Sequence, residues 1–278
     1  MLAGIMLLWF LLTAMAVAFV TIDIRTTPAS LVLKWGFVLL TLYTGPIGAF
    51  LYVLGCREPL DLLHERYVAA RWRQVLGSTM HCVAGDGLGI LAGAVIGATL
   101  ALTFPVDVVI EYALGFGFGW TIFQALFMRD MSGGSYRRAL ANTFLPEFVS
   151  MNVLMAAMMP VAALGRILVG GMPSPLTPEF WFVMSMALLA GFIAAYPMNW
   201  WLVARGLKHG MVTVRNSEAP KTGEPQIHAG SGAMTTTSSK KHAGESTAPR
   251  SEVILMTTLS IVLFSLGIGA MMLLERNM

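Results

Sequence analysis

The run from Met80 to Gly89 reads Met-His-Cys-Val-Ala-Gly-Asp-Gly-Leu-Gly, and no other stretch of the chain gathers so many chemically capable side chains. On a helix Cys82 and Asp86 are four residues apart and share a face, with His81 roughly a quarter-turn away. One pocket would then collect a thiol, a carboxylate and an imidazole, all of them transition-metal ligands. The bland alternative has Asp86 complementing a helix N-terminus, Cys82 packing as a small hydrophobe and His81 in the headgroup layer. Asp86 favours function, because an ionisable group more than a turn inside a membrane helix needs a partner or water. Glu147 is a second candidate. It follows Pro146 and leads into Met151, Met155, Met158 and Met159, which recur at helical intervals as one stripe. Thioethers bind cuprous ion, so the stripe reads either as a relay for a soft metal or as adaptable packing. Gln124, Asn199 and His209 complete the set. Asp107 and Glu111 share a face further out and read as first-turn acids.

These residues need elements to hold them, and the composition says which. The chain is 278 residues long, 56% hydrophobic and 12% charged, far from the make-up of a soluble domain. Seven windows are long and apolar enough to cross a hydrocarbon slab of about 30 Å. They run over Leu2 to Thr21, Leu31 to Leu54, Cys82 to Phe104, Val106 to Met128, Phe144 to Val169, Phe180 to Ala204 and Val253 to Leu274. The expected fold is an all-α, polytopic membrane bundle. Its parts are two N-terminal helices (1–56), an interfacial segment (57–81), a four-helix core (82–212), a disordered linker (213–250) and a last helix (251–278). The first span carries a small-x-small pattern at Ala16 to Ala18 but no preceding Lys or Arg, and is expected to be a retained helix.

Lys and Arg concentrate in alternate loops, after the second, fourth and sixth spans. The positive-inside rule then predicts a cytoplasmic N-terminus and an external C-terminus for a protein of the plasma membrane. It also accounts for the net charge of +3 without nucleic acid. Cys56 and Cys82 fall on the reducing side, which argues against a disulfide. Gly85, Gly89, Gly93 and Gly97 repeat every four residues, and Gly115 and Gly119 offer a matching smooth face, so spans three and four should cross closely. Gln124 would then face Asp86. The linker carries His228 and His242, which read as solvated.

The segments His81 to Gly89, Gly117 to Gln124, Glu147 to Met151 and Asn199 through Lys208, His209, Gly210 and Met211 resemble, in order, a bacterial membrane family catalogued as domain of unknown function 4396. The likeness covers roughly Gly77 to Met211 and the last span. It implies that these segments form one core, but it implies no activity. Some members are described loosely as copper oxidases, whereas a multicopper oxidase needs several His-rich segments and this chain has five His in all.

Three functions remain open at this level. The first is transport or homeostasis of a small ion, copper leading. His81, Cys82, Asp86, Met151, Met155, Met158 and His209 would be metal ligands, and Asp86, Gln124, Glu147 and Asn199 an ion pathway. The second is a redox protein holding haem or quinone through His81 and His209. The third is a non-transporting partner or assembly factor, with the bilayer, a second copy or a membrane partner as its contacts. Motifs for nucleotide binding, hydrolase elbows and zinc proteases are absent from the sequence.

Overall fold

The computed structural model describes residues 1–57, 64–129, 134–210 and 248–276. Among them all regular structure is helical. The helices are α1 (Leu2–Asp23), α2 (Leu31–Thr44), α3 (Pro46–Gly55), α4 (His64–Val68), α5 (Arg71–Leu100), α6 (Phe104–Arg129), α7 (Tyr136–Val169), α8 (Pro178–Ala204) and α9 (Arg250–Glu275). Six of them, α1 and α5 to α9, are long and apolar enough to cross a membrane.

The expected second span is the exception. Gly45 takes φ +62°, open to glycine at little cost, and Pro46 cannot continue the hydrogen-bonding of α2, so the helix ends and a new one begins. The side-chain contacts show that the chain turns back. Along α2, Leu33 shares a cavity with Ser78, Gly36 sits on Met80, and Tyr43 packs on Gly87. Along α3, Gly48 lies against Thr41 and Thr44, and Gly55 meets Leu76. Just beyond it, Arg57 pairs with Asp23 at 2.9 Å, and Tyr52 donates to the same carboxylate at 2.8 Å. Entry and return are thus at one face. With 14 residues, α2 extends only about 21 Å, short of a crossing. The broken backbone at its tip is covered by Trp9 and Thr13 of α1, as non-helical backbone at membrane depth requires.

A re-entrant hairpin in place of a span changes the parity of the chain. Leu2 lines a surface pocket with Leu168, Val169 and Phe182, and Arg166 pairs with Glu275 at the same end of the bundle. Both ends of the described helices therefore lie at one face of the bundle, and against the seven expected windows six helices are long and apolar enough to cross a membrane. The hairpin also tidies the charge. Arg25 and Lys34, expected on the sparsely charged side, join Arg57, Arg71, Arg73, Arg129, Arg137, Arg138 and Arg205 on one cationic face. Of the described residues, Arg166 and Arg276 remain opposite. Cysteines introduced at Ala3 and Arg276 should react with an impermeant maleimide from one side of the membrane, and one at Arg137 from the other. Labelling of the first two from opposite sides would restore an odd number of crossings.

Helix α5 runs through the middle of the bundle. Its glycines do what their spacing predicts. A Cβ added at Gly89 would run into the Leu114 carbonyl, one at Gly93 would lie 2.7 Å from the Glu111 Cα, and Gly97 abuts Asp107. So α5 and α6 touch backbone to backbone. The expected linker lies outside the described residues as far as 247, and Arg250 already opens α9.

Candidate functional site

Helix α5 starts at Arg71 rather than near Cys82, which carries the His81 to Asp86 segment deep into the bundle. Likewise α7 starts at Tyr136, so Glu147 lies three turns inside the helix and is not a first-turn acid. Pro146 just before it cannot donate to the Asn142 carbonyl, loosening the helix where the carboxylate leaves it. Cys82, Asp86 and Glu147 are all at 0% exposure.

The residue that joins them was not among the expected site residues. Lys208 follows the end of α8, where Gly206 takes φ +68° and the amides of Leu207 and Lys208 both donate back to the Leu202 carbonyl, at 2.9 and 3.2 Å. This reversal directs the lysine side chain into the protein. Its Nζ donates to Glu147 Oε2 at 3.0 Å and also to Cys82 Sγ, and the residue is 6% exposed. Cys82 accepts from Gln124 Nε2 at 2.8 Å and donates its own S–H to Glu147 Oε2 at 3.1 Å. Gln124, expected opposite Asp86, is thus held one turn away on Cys82. Burial works against the Lys208 ammonium, but Cys82 and Glu147 outweigh it and raise its pKa above the ordinary lysine value. A raised folded value means that its contribution to stability is complete below about pH 10.4 and is lost only as pH rises through the folded pKa.

Asp86 and the second oxygen of Glu147 converge over Gly119. A Cβ there would strike Asp86 Oδ1 and lie 2.8 Å from Glu147 Oε1. No donor among the described residues reaches Asp86 Oδ1, Asp86 Oδ2 or Glu147 Oε1. Two carboxyl groups facing each other without a donor require a proton between them or a cation beside them. Helix α6 is wound to suit. From Phe118 to Gln124 it follows the wider π-helical path. Gly119 and Gln124 are five residues apart, a spacing that an α-helix would place about 140° apart. The π turn returns both to the face of α5 that carries Asp86 and Cys82, as such turns do at many functional sites.

Further along α7, Asn152 accepts from the Tyr112 hydroxyl at 2.7 Å and donates to Ser260 at 3.1 Å, tying α6, α7 and α9 together. Beyond it, toward the face opposite the cationic one, a cavity of about 60 Å³ is lined by Asp107, Glu111 and Arg166 with Met158, Met159 and Met271. Met151, Met155, Met158 and Met159 are all buried in the main apolar core, and of the expected stripe Met158 and Met159 also line this cavity. Asn199 donates to Ser150 at 3.0 Å and joins α8 to α7 beside the cluster. His81 packs between Phe123 and Phe127, and shares with His209 a cavity of about 10 Å³, too small for a haem. Among the described residues, no three or more His, Cys, Asp and Glu are placed to hold a metal ion. Both cysteines are unbridged.

The fold and this site define a multi-pass helical membrane protein built around a buried cluster of two carboxyls, one lysine and one thiol. Residues 71–208 match a family described as domain of unknown function 4396, and the chain belongs to that family. The match opens with α5 and closes on Lys208, so it takes in the whole cluster. No curated protein and no solved structure matches the chain significantly.

Proposed function

We propose that this protein moves a small cation across the membrane, and that Asp86, Glu147 and Lys208 form its central binding site. The observation that carries this is a charge imbalance. Two carboxyls at zero exposure face one ammonium, and three of their four oxygens lack a donor. With all three groups ionised the site holds one negative charge in excess, and a buried excess charge must bind a proton or another cation. Competition between that cation and the Lys208 ammonium for Glu147 supplies a binding and release cycle. The ladder of Tyr112, Asn152 and Ser260 leads from the cluster toward the cavity at Asp107 and Glu111, where the ion would leave or enter.

The positive-inside rule makes the cationic face cytoplasmic and both termini external, in what would be a bacterial inner membrane. A proton or alkali cation suits the oxygen-rich site better than copper, since the thioethers of Met151 and Met155 are committed to packing. In proteoliposomes holding a pH-sensitive dye, imposed gradients of Na⁺, K⁺ or Cu⁺ should drive proton movement. Asp86→Asn, which keeps the shape and removes the charge, should cut it at least about tenfold. Unchanged flux in that variant, or none in the natural protein with any of these ions, would refute the proposal.

A further inference from the structure

The small cavity between His81 and His209 lies on the cytoplasm-facing side of the cluster and has an unsatisfied lining. Its wall includes Leu33, Ser78, His81, Gln124, His209 and Gly210. Ser78 and His81 are 5% and 3% exposed, yet Ser78 Oγ and His81 Nε2 have no hydrogen-bond partner among the described residues. Leaving such a group unpaired forfeits the hydrogen bonds it made to water in the unfolded chain. A volume of about 10 Å³ is roughly that of one water, and a buried water is stable where two or more polar groups reach it. Ser78 offers a hydroxyl that donates or accepts, His81 a ring nitrogen, and Gln124 an amide oxygen.

The position matters more than the size. Gln124 both lines the cavity and donates to Cys82 Sγ, so one side chain separates the cavity from the Lys208, Glu147 and Cys82 contacts. On its other side His209 and Gly210 are only half-buried, and burial lowers the His209 pKa, which leaves that ring uncharged at neutral pH. An uncharged imidazole does not repel an arriving cation.

We infer that this cavity is a water-binding site, and that its water is the route by which protons from the cationic face reach the central cluster. The inference deepens the transport reading by naming the access route, and it rests on that reading only for its purpose. The Cys82 thiol is the reporter, because on deuteration its S–D stretch appears in a part of the infrared spectrum clear of both protein and D₂O stretching bands. In a Cys56→Ser background it is the only thiol, and on transfer to D₂O an arriving deuteron simply replaces the departing proton. The natural residues at positions 78 and 81 should allow rapid conversion to S–D. Ser78→Leu and His81→Phe, which fill or dry the cavity, should slow it at least about tenfold. His81→Gln, which keeps a polar group there, should stay near the natural rate.

Circular dichroism and thermal melting of each variant show whether it is folded, and His81→Phe keeps the test alive if Ser78→Leu is not. Equal exchange in the parent and in whichever blocked variants fold overturns the water route, whatever happens to flux. A thiol that does not exchange in the parent overturns it too. Absent flux with the exchange pattern intact overturns the transport reading and leaves the water site standing.

Discussion

Lys208→Met is expected to destabilise the protein by about 3–5 kcal/mol, the usual cost of stripping one partner from a buried ion pair. Methionine keeps the length and the apolar stem of the lysine, so the loss isolates the ammonium. Without it Glu147 Oε2 retains only the weak S–H donor of Cys82, and the cluster carries two carboxyls with no compensating cation. The loop after α8 would also lose its anchor, since the 3.0 Å bond from Lys208 ties it to α7. Thermal unfolding in detergent measures the loss. The double variant Lys208→Met, Glu147→Gln should recover more than half of it, because removing both charges leaves no uncompensated ion. Equal losses in the single and double variants would mean that Lys208 acts through packing alone.

Gly89→Ala is the second substitution expected to be severe, at about 1–3 kcal/mol. Its new methyl would meet the carbonyl of Leu114 and would lie 2.7 Å from the Gly115 Cα. Backbone atoms cannot step aside by changing rotamer, so α5 and α6 would have to separate. That separation would also draw Gly119 from Asp86 and Gln124 from Cys82, so the stability loss should come with a loss of transport. Gly117 is the matched control. A Cβ there meets nothing within 4 Å, and Gly117→Ala should be neutral or stabilising by about 0.5–1 kcal/mol. If thermal unfolding gave equal shifts for the two, the close backbone approach of α5 and α6 would not hold.

Cys82, Asp86 and Glu147 stood out in the sequence because ionisable groups inside apolar windows are costly, and that cost operates whatever the tertiary contacts. The every-fourth glycines predicted the crossing of α5 and α6 for a similarly local reason. Lys208 did not stand out. A lysine after a span is normally solvated, and only the backward turn at Gly206 converts it into a buried counter-ion. A glycine there was the available hint, but glycine follows many helices. The hairpin of α2 and α3 was hidden because hydropathy adds up apolar residues without sensing direction: Leu31 to Leu54 is apolar enough to cross, yet Gly45 and Pro46 reverse it midway. The π turn left no mark at all, since its wide winding comes from packing against α5 and α7 and not from any residue preference.

That turn makes the pitch of the helix part of the site. If α6 kept every residue between Phe118 and Gln124 but wound there with ordinary pitch, Gln124 would lie about 140° round the helix from Gly119, away from Cys82. Each side chain would keep its identity and lose its neighbour. A relative lacking one residue here should wind the stretch as an ordinary α-helix and still bring its glutamine to the thiol, because four residues at ordinary pitch turn through about the angle that five cover at the wider one. A one-residue gap placed there in an alignment would mark the loss of the wide turn and not of the site.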